Sequence, residues 1–274
     1  MNSAMMVLIT AMFSGLSVGP VELVGDSYMF SEGPLWTSEG IWIFSDVTAN
    51  MIYAEDRSVV RTASGGANGL ALDRTGHVIA CEGSARRVTR LEADGTVTVL
   101  ARAYSKKRFN SPNDLVIRSD GTIFFTDPKS LRKDEESELG FSGVYAITPD
   151  GQVVLLTDEF KYPNGIALSP DEKKLYVSDT TKAAIHVFDL DGTTLRNGRE
   201  FCSVRIPDGM AVDASGRVWS TSSGGVSVYD ETGVHLETIR IPVMPTNCAF
   251  GGEDGQTLFV TARKKVFKLY VSSE

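Results

Sequence analysis

At 274 residues, with 42% apolar and 23% charged side chains, the chain can bury a large core and is too apolar to stay disordered. Its net charge of −8, from 27 basic and 35 acidic residues, disfavours a nucleic-acid partner, and no basic stripe interleaved with aromatics offsets that balance. Three scattered cysteines, Cys81, Cys202 and Cys248, form no Cys-x-x-Cys pair and read as reduced buried thiols of a cytoplasmic protein, not as a disulfide framework.

The chain opens on an apolar run, Met5 to Phe13. It has the length of a signal-peptide core but no Lys or Arg before it and no small-x-small cleavage site after it, and it is too short to span a bilayer. We read residues 1–16 as an extension, a short helix or strand, ahead of one domain over residues 17–274. Cytoplasmic placement, without a membrane partner, is preferred over a secreted or periplasmic one.

Val21-Glu22-Leu23-Val24 reads as a lone strand. After it a short pattern recurs six times: Ser31-Glu32-Gly33-Pro34, Ala67-Asn68-Gly69-Leu70, Pro112-Asn113-Asp114-Leu115, Pro163-Asn164-Gly165-Ile166, Pro207-Asp208-Gly209-Met210 and Thr246-Asn247-Cys248-Ala249. The lead positions 32, 68, 113, 164, 208 and 247 are 36 to 51 residues apart, and each repeat carries short β-branched or aromatic runs separated by turn residues. Periods of about 40 to 50 residues with four strands each predict an all-β, six-bladed β-propeller. The third repeat carries a charged insertion over residues 129–142, expected at the rim. The sixth supplies three strands before the chain ends, so the Val21–Val24 run is expected to close the last blade and remove a free sheet edge.

The first strand of each propeller blade lines a central channel. Glu32, Asn68, Asn113, Asn164, Asp208 and Asn247 are therefore expected to form a ring, and every one of them carries a side-chain oxygen. Asn and Asp before Gly are also ordinary turn residues, but Glu32 is a poor turn former. At a spacing of about 5 Å, Glu32 and Asp208 would repel by about 3 kcal/mol at an effective dielectric of about 20, so a cation between them is expected. All-oxygen ligation without Cys or a nearby His selects Ca²⁺ first, then Mg²⁺ or Mn²⁺, with Zn²⁺ a competitor. His77, His186 and His235 sit in turn or strand contexts away from the ring, and the basic runs Lys106-Lys107-Arg108 and Arg263-Lys264-Lys265 read as solvated turns.

Glu32-Gly33-Pro34, Arg108-Phe109-Asn110-Ser111-Pro112-Asn113-Asp114, Phe124-Phe125-Thr126-Asp127-Pro128, Pro163-Asn164-Gly165 and Pro207-Asp208-Gly209-Met210, in that order, resemble the motifs of one family. It is the family of senescence marker protein (regucalcin), gluconolactonase and luciferin-regenerating enzyme. The resemblance implies a six-bladed propeller holding one divalent metal ion, with Glu32, Asn164 and Asp208 as ligands. It further implies Asn113 as a substrate- or metal-facing asparagine, Asp208 as the proton-transferring residue and Arg108 as a substrate-binding arginine. Asn68 and Asn247 are included from the repeat alone.

The reading that follows is metal-dependent hydrolysis of a small lactone, sugar-derived aldonolactones first. A divalent ion polarises a carbonyl, Asp208 moves the proton, and Asn113 and Arg108 hold substrate hydroxyls, with Asp114 beside Asn113 as a further substrate contact or alternative base. No Gly-x-Ser-x-Gly elbow is present. Two rivals remain open: a phosphotriesterase-like hydrolase on the same metal, and a non-catalytic Ca²⁺-binding propeller.

Overall fold

The computed structural model describes residues 15–130 and 137–273, and the described residues contain strands and turns but no helix. Most of the predicted N-terminal extension and part of the insertion over 129–142 lie outside the described residues. No helix among the described residues is long and apolar enough to cross a membrane.

Four sheets each take four consecutive antiparallel strands in chain order. One runs Ala67–Leu72, Val78–Glu82, Arg87–Leu91 and Val97–Ala101, and the next Leu115–Ile117, Ile123–Asp127, Gly143–Ile147 and Val153–Thr157. A third runs Pro163–Leu168, Lys174–Asp179, Ala184–Asp191 and Thr194–Ser203, and a fourth Met210–Val212, Val218–Ser222, Gly225–Tyr229 and His235–Ile239. Apart from the long connection over residues 128–142, turns of two to five residues rich in Asp and Gly make this meander natural, since antiparallel neighbours need no crossover.

A seven-stranded sheet joins the two ends of the chain. Its long strand Glu22–Trp36 pairs with Trp42–Asp46 through residues 31–36 and with Thr257–Ser273 through Glu22↔Lys268 and Leu23↔Phe267. Where the sequence led us to expect two separate strands, the backbone runs on, with a register break between Asp26 and Ser31 and a left-handed Ser27. Thr257–Ser273 doubles back near Arg263, so that the Val271 amide donates to the Gln256 carbonyl at 2.8 Å. Leu16–Val18 pairs with Val271–Ser273, and Leu16 is itself buried against Trp219 and Val226.

Burial falls from the second and third strands outward. Trp42–Asp46, Ile123–Asp127 and Val218–Ser222 are buried at every position, whereas Val59–Thr62 is largely exposed. The core lies between neighbouring sheets, as where Ile79, Cys81 and Val88 cluster with Leu115, Phe125 and Tyr145 of the next sheet, while Phe44 and Phe259 stack at 6.1 Å within the seven-stranded sheet. Each such ring contributes roughly 2 to 3 kcal/mol by leaving water.

A second set of bonds ties the sheets together at one level. The penultimate residue of five second strands offers a hydroxyl or thiol to a carbonyl at the start of the next repeat, and Thr246, just ahead of its own first strand, does the same to Ser31. Ser45 donates to Asn68 O at 2.7 Å, Thr126 to Asn164 O at 2.7 Å, Ser178 to Asp208 O at 2.9 Å and Thr221 to Thr246 O at 3.1 Å. Cys81 Sγ reaches Asp114 O at 3.7 Å, and Thr246 Oγ1 donates to Ser31 O at 2.7 Å. These bonds fix the backbone of the lead residues, and so the depth at which their side chains start.

Candidate active site

The residue after the lead position explains how closely the first strands approach. Gly69 N donates to Asn113 O at 2.8 Å, Gly165 N to Asp208 O at 3.1 Å and Gly209 N to Thr246 O at 2.8 Å. A Cβ at Gly33, where φ is +47°, would stand 2.0 Å from the Asn68 carbonyl oxygen, and one at Gly165 would stand 2.3 Å from Asp208 O. Glycine is therefore required by contact with the neighbouring strand. The third and sixth repeats depart from this rule with Asp114 and Cys248, and there a side chain occupies the position.

Asp114 joins the lead residues through that departure. Its Oδ1 accepts the Leu115 amide at 3.0 Å and its Oδ2 accepts the Asn247 carboxamide at 3.3 Å. Glu32, Asp114 and Asn164 are buried, and Asp208 is partly so. Burial pushes the Glu32 carboxyl well above its usual range, and the charges of Asp208 and Asp114 push it further. Burial likewise lifts Asp208 to about 7, reinforced by Asp114 and opposed by the Asn164 carboxamide and the Arg263 charge. Asp114 is lifted to about 7 by burial, against the hydrogen bonds from Leu115 and Asn247. The structure thus brings Glu32, Asp114 and Asp208 within electrostatic reach of one another, with Asn164 beside Asp208 and Asn247 beside Asp114.

The other predicted residues fall at different places. Asn113 is half-buried, its amide donating to Thr126 O at 2.8 Å. Asn68 is half-buried too, and its Oδ1 is a buried oxygen without a hydrogen-bond partner. Arg108 is exposed in a two-stranded hairpin, Ala103–Tyr104 with Lys107–Arg108; its amide donates to Glu138 Oε2 at 2.9 Å and its guanidinium to Ala85 O at 3.5 Å. None of its contacts is with the three carboxylates.

Among the described residues no three His, Cys, Asp or Glu side chains stand close enough to hold an ion by themselves. An ion here would have to draw on carboxamide oxygens as well as carboxylates. The donor chemistry fits that requirement: three acidic groups that oppose each other's ionisation, carboxamides among them, and one orphaned carboxamide oxygen at Asn68.

Sequence reasoning gave no role to a second set of buried acids. Asp46, Asp127 and Asp179 follow the tethering hydroxyls Ser45, Thr126 and Ser178 and accept amides from the loop leading into their own first strand. Asp127 takes Asn110 N at 2.8 Å and Ser111 N at 2.7 Å; Asp179 takes Lys161 N at 2.7 Å; Asp46 takes Phe30 N at 2.9 Å. The repeated Ser/Thr-Asp pair at the end of an apolar run was the signal available. Behind the carboxylates, Leu35, Leu70, Ile117, Leu168, Met210 and Phe250 line an apolar cavity of about 360 Å³, with Asp114 and Asn247 at its polar end.

The chain is 33% identical to the gluconolactonase of Zymomonas mobilis over 91% of its own length and 81% of the relative's. It is 28% identical to Xenopus laevis regucalcin over 88% of its length and 85% of that protein's. The solved structure of a gluconolactonase from Xanthomonas campestris superposes with a TM-score of 0.88 at 35% identity, covering 93% of this chain and 90% of that one. A calcium-binding regucalcin from Agrobacterium tumefaciens shares the fold, with a TM-score of 0.80 at 22% identity over 93% of this chain and 96% of that one. Residues 30–264 match the SMP-30/gluconolactonase/LRE-like region, and the chain belongs to that family.

Proposed function

We propose that the protein is a lactone hydrolase built as a six-bladed propeller, with residues 22–26 closing the last blade and one divalent ion at the carboxylate end of the channel. The convergence of Glu32, Asp114 and Asp208 with Asn164 and Asn247, in a chain 33% identical to a gluconolactonase, carries this reading. Glu32, Asn164, Asp208 and Asn113 would hold the ion. Calcium is the first choice, by donor chemistry and because a neighbour of the same fold is described as calcium-binding. When bound, the ion supplies Lewis acidity to the substrate carbonyl and offsets the mutual repulsion of the carboxylates.

The protein's own residues do the rest. Asp208 takes a proton from water as the water oxygen bonds to the lactone carbonyl carbon. It returns that proton to the ring oxygen as the carbon–oxygen ring bond breaks. Asn113, half-buried and free of side-chain hydrogen bonds among the described residues, would hold a substrate hydroxyl. Asp114, held by Leu115 and Asn247, opposes the ionisation of Glu32 and Asp208 whenever it is itself ionised. Sugar-derived aldonolactones, rich in hydroxyls and small, suit an oxygen-lined mouth.

The test is a panel of aldonolactones, simple aliphatic lactones and a paraoxon-type ester, assayed on chelator-stripped protein with Ca²⁺, Mg²⁺, Mn²⁺ or Zn²⁺ restored in turn. Metal-restored turnover of aldonolactones above the other substrates is expected. Turnover of the phosphotriester alone would replace the reading, and activity that survives chelation would remove the metal from it.

A further inference from the structure

The basic run Arg263-Lys264-Lys265 reads as a solvated turn in the sequence, and in the structure Arg263 and Lys264 are indeed exposed, at a turn next to the first lead residue. It stands where the last strand doubles back, with φ at +56°. Its backbone lies opposite Ser31, the residue before Glu32, and the preceding Ala262 amide donates to Ser31 Oγ at 3.3 Å. Its guanidinium reaches Met244 Sδ at 3.5 Å, three residues before Asn247. Arg263, which is exposed, thus lies beside residues that precede two of the leads, Ser31 ahead of Glu32 and Met244 ahead of Asn247, within electrostatic reach of Asp208.

Arg86 pairs with Glu138, Arg61 and Arg87 pair with Glu82, and Lys182 lies 4.0 Å from Asp179. Arg263 forms no ion pair among the described residues, and a thioether sulfur is a weak acceptor that leaves most of its donors free. An unpaired guanidinium beside a site that opens an ester has an obvious complement, because ring opening creates a carboxylate, whose two oxygens match the guanidinium fork.

We propose that Arg263 is a substrate-binding residue that grips the carboxylate of the ring-opened product. The proposal rests on the lactonase reading above for its choice of ligand. Because a guanidinium pairs with a carboxylate, Arg263 would bind a ring-opened acid more tightly than a neutral polyol of the same shape.

The experiment measures sodium D-gluconate and D-glucitol binding to calcium-loaded protein by calorimetry, for the parent, Arg263→Lys and Arg263→Gln. Gluconate should weaken in the order parent, Lys, Gln, by at least about tenfold for Gln, since a hydrogen bond to a charged group is lost. Glucitol binding should be unchanged, and Ca²⁺ affinity unchanged or slightly tighter, because a nearby cation has gone. Gluconate affinity within twofold of the parent in Arg263→Gln would overturn the proposal. So would equal losses of gluconate and glucitol, weakened Ca²⁺ binding, or a parent that does not bind gluconate. Were Arg263→Gln not to fold, the Arg-to-Lys comparison carries the same test, with unchanged gluconate affinity overturning it. Lactone turnover by the parent is scored separately: its absence counts against the lactonase reading, whereas a normal parent with an unaffected variant counts against Arg263 alone.

Discussion

The Asn247 carboxamide donates to Asp114 Oδ2 at 3.3 Å across 133 residues of sequence. Its own Oδ1 accepts the Cys248 amide at 2.8 Å, so the carboxamide cannot flip without breaking that bond. Asn247 thereby sets the orientation of an acid that in turn acts on Glu32 and Asp208. Asn247→Leu should cost about 1 to 3 kcal/mol by leaving the Asp114 oxygen and the Cys248 amide unpaired, read as a lower midpoint in denaturant with an unchanged m value. Parent-like stability would mean that water replaces the carboxamide fully.

Asp208→Asn should separate ligation from proton transfer. The amide keeps one oxygen of similar reach but cannot take a proton. We expect divalent-ion binding to weaken but persist, and kcat at saturating metal to fall by about 10²- to 10⁴-fold with little change in KM. A near-parent kcat would leave Asp208 as a ligand only and move the base to Asp114.

The pH dependence follows from burial. In the metal-free protein Asp114 and Asp208 are raised to about 7, while in the unfolded chain such groups ionise near about 4. Between those values the folded state binds more protons, so metal-free stability should fall as pH rises from about 4 to 7, and Glu32, also raised, acts in the same direction. Metal binding needs the ionised forms, so it should release protons below about 7 and tighten as pH rises. The gap in Tm between calcium-loaded and chelated protein should therefore widen from pH 5.5 to pH 8. A constant gap would uncouple these acids from the metal.

Thr126 donates to Asn164 O at 2.7 Å and accepts the Asp114 amide at 3.1 Å, linking two site residues from neighbouring repeats. Thr126→Val keeps the shape and removes both bonds. A loss of about 1 to 3 kcal/mol in stability is expected, together with weaker metal binding because Asn164 and Asp114 lose their common anchor. Loss of stability without any change in metal affinity would make the tether purely structural.

Gly33→Ala tests the close approach of the first strands. The new Cβ would stand 2.0 Å from Asn68 O at a φ of +47°, against the Asn68–Gly69 backbone. We expect at least about 2 kcal/mol of destabilisation, by combining left-handed strain with a backbone clash. Thermal unfolding within a degree of the parent would show that the strands can part.

Much of this was legible in the sequence because a repeat needs only local patterning. Alternating apolar runs, Asp-Gly turns and the lead residue before glycine reported the strands and which residues open them. The glycines themselves encoded contact, since Gly33, Gly165 and Gly209 stand where a neighbouring strand leaves no room for a Cβ. Residue type also limited the chemistry: oxygen donors at each lead position, with no His or Cys among the leads, point to a hard cation. What the sequence could not decide was distance between repeats. Asp114 read as a neighbour of Asn113, and only packing showed it bonded to Asn247 and facing Glu32. Arg108 and Arg263 read alike as solvated turns with one motif in favour of Arg108, yet the doubling back of the last strand beside Ser31 put Arg263 near Asp208. Local propensity follows from neighbours along the chain, whereas burial, mutual charge repulsion and the meeting of two chain ends depend on through-space separations that sequence order does not contain.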